Sequence, residues 1–173
     1  MRIRPYISNA DFDEIKNWIT DERTHALWCA RRIGYPLEKE NFERFLEEAS
    51  VQYKETPFVA TTDGGELVGF FCYSENPEIK EGMLKFVVTA PRYRNQGYGR
   101  QMIALAVKYG FETAKVDAVQ LNVFLENTAA RRCYLSVGFE ERKTAEKAFA
   151  FQDETWGRCN MVIKRERWLS MKR

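Results

Sequence analysis

Between Lys85 and Arg100 the chain reads Lys-Phe-Val-Val-Thr-Ala-Pro-Arg-Tyr-Arg-Asn-Gln-Gly-Tyr-Gly-Arg. An apolar strand runs into a proline break, then arginines, then two glycines two positions apart. A helix follows to about Ala114, with Met102, Leu105, Ala106 and Tyr109 on its inner face. Glycines at 97 and 99 let the backbone take positive φ and approach a ligand closely. The first turn of a helix offers unpaired N–H groups and a partial positive charge. Together these make an anion site suited to phosphate. Local charge agrees, because residues 91–115 hold five bases (Arg92, Arg94, Arg100, Lys108, Lys115) against Glu112. A glycine-rich turn with solvated arginines is the plainer alternative. A P-loop is excluded, since no Lys-Ser or Lys-Thr follows a glycine. A dinucleotide fingerprint is excluded too: position 102 is Met, and seven residues separate Thr89 from Gly97.

The rest of the chain sets the fold class. Ile3–Ile7 reads as a short first strand, and Ser8 or Asn9 can cap a helix carrying Phe12, Ile15, Trp18 and Ile19. Residues 24–36 have poor periodicity and read as a loop or broken helix. Leu37–Gln52 reads as a helix with one apolar side and glutamates opposite. Pro57–Thr61 and Leu67–Ser74 flank Asp63-Gly64-Gly65 as a hairpin. Met83–Thr89 and Ala118–Phe124 are further strands, and Thr128–Val137 is a helix ending at a Gly138 left-handed cap. Phe139–Phe151 and Thr155–Lys164 are two last strands. Helices and hairpins together predict an α+β (mixed α/β) fold with a mixed sheet, not a fully parallel one.

At 173 residues the chain is of single-domain size, one domain over 1–173. Its longest apolar run, Leu67–Tyr73, is far short of the ~20 residues of a membrane helix, and nothing after Met1-Arg2-Ile3-Arg4-Pro5 resembles a signal segment. A cytoplasmic protein without a membrane partner is expected. The net charge of +2 gives no reason to expect a nucleic-acid partner. The basic tail 163–173 reads as a solvated terminus. Cys29, Cys72, Cys133 and Cys159 form no CxxC pair, and His25 is the sole histidine. That excludes the usual zinc signatures and a disulfide scaffold, and no metal is expected. A Ser-His-Asp hydrolase would rest on His25 alone.

A second constellation runs from Asn127 through Ala130, Tyr134 and Gly138 to Phe139. Asn127 can cap the helix, and Tyr134, about two turns on, shares its face. An amide and a phenol on one face beside a phosphate loop suggest a ligand running from Asn127 toward Tyr134. A plain cap and a core aromatic are the alternatives.

Arg94-x-Gln96-Gly97-x-Gly99 after a strand and proline, then Asn127-x-x-Ala130-x-x-x-Tyr134-x-x-x-Gly138-Phe139, resembles the GNAT acetyltransferase superfamily. The final strand, with Trp156 and Met161, is similar to a branch containing protein N-terminal and aminoglycoside acetyltransferases. The resemblance implies a GNAT-like fold: a central mixed, mostly antiparallel sheet of six to seven strands with about four helices on both faces. It implies acetyl-coenzyme A (acetyl-CoA) as co-substrate. The backbone of Phe86, Val87 and Val88 would pair with the pantetheine arm, and the N–H groups of Arg94, Asn95, Gln96, Gly97, Tyr98, Gly99 and Arg100 would hold the pyrophosphate. Asn127 would contact pantetheine, and Tyr134 would be the general acid. The implied activity is transfer of an acetyl group to a primary amine of a small molecule or a peptide or protein N-terminus, by direct attack in a ternary complex.

Glu81, at the start of the strand before the loop, is the nearest candidate base. Glu75, Glu126 and His25 are weaker ones, and a solvated turn glutamate is the plainer reading of Glu81. In the family, the region between the first two helices and the last hairpin walls the acceptor site. Here that implicates Trp28, Tyr35, Phe149 and Phe151, unless they are core packing. The segment 35–55 carries six Glu against Lys39, Arg44 and Lys54, and would attract a cationic amine if it is not merely a solvated face. A monomer or homodimer is expected. A catalytically idle acyl-CoA-binding sensor or interaction module is the other function class.

Overall fold

The computed structural model describes residues 1–172. Seven strands and six α-helices alternate irregularly: β1 (Arg2–Pro5), α1 (Ser8–Lys16), α2 (Glu22–Cys29), α3 (Lys39–Tyr53), β2 (Thr56–Thr61), β3 (Leu67–Asn76), β4 (Glu81–Thr89), α4 (Tyr98–Glu112), β5 (Ala118–Phe124), α5 (Thr128–Val137), β6 (Glu140–Phe151), β7 (Glu154–Lys164) and α6 (Arg165–Ser170). The strand order is β1-β2-β3-β4-β5-β7-β6. β4 and β5 run parallel, while β1–β2, β2–β3, β5–β7 and β6–β7 are antiparallel. The fold is thus a mixed α+β one with a seven-stranded, mostly antiparallel sheet. About four helices are expected from sequence; the described residues form six.

The chain divides into two compact units. The first comprises Met1–Ser74 and Phe86–Met102. Its core gathers Phe12, Ile15 and Trp18, then Trp28, Phe42 and Leu46, against Val59, Phe70, Phe86 and Val88. Neither Ser8 nor Asn9 caps α1. The cap position is Ile7, whose N–H donates to the buried Asp11 carboxylate at 2.7 Å. Arg4 grips the same carboxylate with two bonds of 2.7 Å.

Of the two expectations for residues 24–36, a loop or a broken helix, α2 takes the second: the helix starts at Glu22 and stops at Cys29. Its signal is local: Asp21 accepts from the Thr24 backbone N–H at 2.8 Å and the Thr24 hydroxyl at 2.6 Å. α3 begins at Lys39, two residues later than its apolar pattern predicts, because Glu38 and Asn41 form a capping box.

The second unit comprises Glu75–Lys85 and Ile103 onward. Phe124, Phe149, Phe151 and Trp156 form one aromatic cluster in it, with ring centroids 4.7–5.6 Å apart. The tail has no buried residue from Lys164 to Lys172, as a solvated terminus would, but it is ordered. It folds into α6, where Arg165 donates to the Val116 carbonyl at 2.5 Å and lies over Phe111. Arg167 donates to the Gly138 carbonyl at 2.8 Å. No helix among the described residues is long and apolar enough to cross a membrane.

Candidate functional site

In β4, alternate side chains are buried from Glu81 to Thr89, yet the strand is not regular. Phe86 sits at φ +51°, in the left-handed region. A non-glycine residue rarely adopts that conformation within a strand. The parallel ladder to β5 runs from Glu81↔Ala118 to Leu84↔Leu121. Phe86 therefore lies two residues past the last paired position. Its carbonyl accepts from Trp28 Nε1 at 2.8 Å, a buried bond that fixes the irregularity. Gly69 on β3 makes room for the strand two residues further on, since a Cβ there would stand 2.6 Å from the Val88 carbonyl oxygen.

Past β4, Pro91–Tyr93 form one 3₁₀ turn and Tyr98 opens α4. Gly97 is at φ +82°, as its place in the turn predicts. Gly99 lies inside the first turn of α4; the second left-handed residue is Asn95, at φ +58°. The Arg94 N–H donates to the Pro91 carbonyl at 3.2 Å, so the donor set starts after it. Gln101 N–H donates to Gly97 at 3.1 Å, which leaves the N–H groups of Tyr98, Gly99 and Arg100 ahead of the helical ladder. Side chains brace the turn: Arg94 Nε donates to the Thr89 carbonyl at 3.0 Å and Gln96 Nε2 to the Arg92 carbonyl at 2.7 Å. Arg92 pairs with Glu14 at 3.0 Å, whereas Arg94 and Arg100 have no carboxylate partner among the described residues.

In the second unit, Asn127 caps α5 by accepting from the Ala130 N–H at 3.2 Å. That bond fixes the amide and leaves its NH₂ as the donor end. Gly138 closes the helix at φ +109°, and Phe139 N–H returns to the Tyr134 carbonyl at 3.1 Å. Tyr134 is buried at 6 % exposure. Its hydroxyl has no hydrogen-bond partner among the described residues. Burial pushes its pKa well above the usual phenol value, with the Cys133 thiol adding a smaller push. The phenol stays protonated throughout the physiological range.

The remaining predicted residues divide sharply. Glu81 accepts from Arg142 Nη1 at 2.8 and 3.1 Å and from Gln120 Nε2 at 2.6 Å. Asn160 and Asn122 extend that network. Both Glu81 oxygens are thus engaged in tying β4, β5 and β6. Glu75 is exposed, and Glu126, also exposed, accepts from the Gly157 N–H at 3.3 Å. Trp28 is a buried brace and Phe151 a buried stack on Trp156; Phe149 is half-buried in the same cluster. Tyr35 is exposed, 5.2 Å from the ring of His25. His25 is fully buried, with the Cys29 thiol 3.4 Å from Nε2. Burial lowers its pKa, against a hydrogen bond to Gly34 that raises it. Sequence reasoning named Phe86 but not its left-handed conformation, and it missed Gly69; both act through backbone geometry that a run of strand-forming residues does not announce. It also missed Arg32, which lies over the Phe86 ring.

The acetyltransferase (GNAT) family profile matches residues 12–139. Over 125 residues the chain is 26 % identical to the 5-NmdU N-acetyltransferase of Pseudomonas phage PaMx11, covering 72 % of this chain and 85 % of that one. Among solved structures, spermidine N-acetyltransferase from Vibrio cholerae in complex with CoA and spermine superposes with a TM-score of 0.81 at 20 % identity, covering 97 % of each chain. A chimera of the V. cholerae SpeG enzyme and hSSAT gives 0.80 at 19 % identity, over 98 % of this chain and 99 % of the other. At that identity the structural likeness shows the fold.

Proposed function

Because the chain belongs to the acetyltransferase (GNAT) family, we propose that it moves an acetyl group from acetyl-CoA to a primary amine by direct attack in a ternary complex. Residues 1–173 act as one catalytic domain in this reading. The observation that carries it is Tyr134: a buried phenol on α5, two turns from the Asn127 cap, with no hydrogen-bond partner among the described residues. A binding module has no need of such a group, whereas a departing thiolate of pKa near 8.5 has use for a proton donor.

The residues present fit the co-substrate. N–H groups of Asn95 to Arg100 and the Arg94 and Arg100 side chains suit a pyrophosphate. The Asn127 NH₂ suits a pantetheine carbonyl, as does the backbone of Phe86, Val87 and Val88 past the end of the β5 ladder. A backbone N–H near Val88 steadies the oxygen of the attacked carbonyl. Tyr134 then gives its proton to the departing sulfur. Glu81 is assigned to the strut and not to the chemistry, because Arg142 and Gln120 already hold its oxygens. The acceptor is a small-molecule or peptide amine; the relatives are named for 5-NmdU and spermidine. Four free thiols suit a reducing cytoplasm.

Titration calorimetry with acetyl-CoA, followed by a thiol-release assay over an amine panel, tests the proposal. Heat on titration and amine-dependent thiol release are expected. Heat without release on any amine would favour the idle acyl-CoA-binding module. No heat would remove both readings.

A further inference from the structure

α2 ends in two consecutive left-handed residues, Ala30 at φ +51° and Arg31 at φ +58°, and neither is glycine. Such conformations persist where surrounding structure enforces them, and they concentrate at ligand sites. Here Ala30 N–H closes on the Ala26 carbonyl at 2.8 Å and Arg32 N–H on the Cys29 carbonyl at 3.0 Å. The product of this tight reversal is the placement of Arg32. Its guanidinium lies 5.7 Å from the centroid of Phe45 and 5.6 Å from that of Phe86. Those two rings meet edge to face at 5.1 Å, so they present two apolar surfaces to one cation.

Arg32 differs in its charge partners from the basic residues around it. Its neighbour Arg31 pairs with Glu22 at 3.1 Å. Lys16 engages Glu38, and Arg4 engages Asp11. Arg32 has no carboxylate partner among the described residues, although α3, which carries Phe45, is rich in glutamate. It is exposed, so its N–H groups are open to a ligand while its guanidinium carbon lies within reach of both rings. A guanidinium is a rigid planar fork, the geometry that matches carboxylate and phosphate oxygens. That of Arg32 lies 5.6 Å from the ring centroid of Phe86, the irregular residue of β4 from which the acyl donor's strand departs in the proposed function.

We propose that Arg32 is a specificity-determining residue that binds an anionic group, a carboxylate or a phosphate monoester, on the amine acceptor. The preferred acceptor is then an amine with an anion a few bonds from its nitrogen, and a polycation is disfavoured. This rests on the acetyltransferase reading, and the calorimetric arm of the test reads the subsite independently of it.

Matched acceptors give the measurement: β-alanine against β-alaninamide, O-phosphoethanolamine against ethanolamine, and spermidine as the polycation. The wild type is expected to favour the anionic member of at least one pair in kcat/KM. The two pairs separate a carboxylate reader from a phosphate reader. Arg32→Leu, which keeps the apolar contact with both rings, is expected to lower the anionic-to-neutral ratio about 10- to 100-fold, mainly through KM. Arg32→Lys should restore only part of it, since it returns charge without the fork. Calorimetry with β-alanine and O-phosphoethanolamine, in the presence of CoA, reads the subsite without turnover. Arg32-dependent binding with no acetylation would remove the enzyme reading and support the subsite. A ratio untouched by Arg32→Leu, a wild-type preference for spermidine, or binding of neither anion would overturn it.

Discussion

The turn at residues 90–100 and the packed helices α2 and α3 lie in the same compact unit and offer a ligand opposite things. The turn offers main chain. Its N–H groups project because Gly97 and Asn95 are left-handed and α4 starts at Tyr98. The helices and the turn between them offer side chains: Trp28 bound to the Phe86 carbonyl, Arg32 at 5.6–5.7 Å from two ring centroids, His25 beside Cys29. The difference teaches where each region can be broken. A turn of main-chain donors tolerates changes of side chain and fails when φ is changed. A site of side chains does the reverse.

Tyr134 is the extreme of the side-chain kind, and it carries the largest expected effect. Tyr134→Phe removes one oxygen from a buried ring and nothing else. Turnover should fall about 10- to 10⁴-fold, with acetyl-CoA affinity little changed. Steady-state kinetics with calorimetry on the same variant checks both halves. Unchanged turnover would end the general-acid role and weaken the contrast at its strongest point. Gly97→Ala tests the main-chain kind. Open space surrounds the position of a Cβ at Gly97, so no clash is involved. The cost is that of placing alanine at φ +82°, about 1–2 kcal/mol. If binding requires this conformation, acetyl-CoA affinity falls about 5- to 30-fold. Gly97→Asn should lose less, as Asn95 already sits at φ +58°. Equal losses in the two variants would show that side-chain bulk, not φ, governs the turn.

The same contrast explains what could be read from the sequence. Gly97, Pro91, Asn127 and Gly138 act through local backbone rules, so spacing alone located the turn, the α5 cap and its left-handed end. Trp28 and Phe151 act through partners far along the chain: Trp28 reaches Phe86, a separation of 58 residues. No local pattern states such a contact, and an aromatic residue that braces a strand reads the same as one that lines a pocket. Glu81 is similar. Its partners Arg142 and Gln120 arrive from other strands, and only the fold shows both its oxygens engaged. Phe86 is the hardest case, because nothing in Lys-Phe-Val-Val distinguishes an irregular strand from a regular one.

Trp28→Phe addresses that irregular strand directly. The variant keeps an aromatic ring and loses the donor to the Phe86 carbonyl. A buried acceptor left unsatisfied costs about 1–3 kcal/mol, which lowers the melting temperature by a few degrees or more. A fall in acetyl-CoA affinity should accompany it if the Phe86 conformation serves binding. His25 gives a smaller effect. Burial holds its pKa below the usual 6.5, so the folded protein keeps the ring neutral. As pH falls through 6.5 the unfolded chain takes up the proton first. Stability present above that point is therefore lost on the acid side, by up to about 1.4 kcal/mol per pH unit. Denaturant titrations at pH 7.5 and 5.5 should show the loss, and His25→Gln should flatten it. An identical slope in that variant would assign the acid sensitivity to other groups.

The smallest effect on turnover is expected at Glu81, and it separates position in sequence from role in structure. Its place on β4, just before the turn, suits a base that removes a proton from the acceptor. Its bonds argue otherwise. Both of its oxygens already accept hydrogen bonds, from a guanidinium and an amide at 2.6–3.1 Å, so neither is left open to a substrate proton. Glu81→Gln keeps the shape and one acceptor oxygen. It removes the charge that pairs with Arg142, at side-chain exposures of 39 % for Arg142 and 16 % for Glu81. If the carboxylate is a strut, kcat stays within about threefold of wild type, and any loss appears in the melting temperature. A general base would instead cost about 10²-fold or more. A drop of that size, with the acidic limb of the pH–rate profile flattened, would return Glu81 to the chemistry and show that a fully bonded side chain can still act on a substrate.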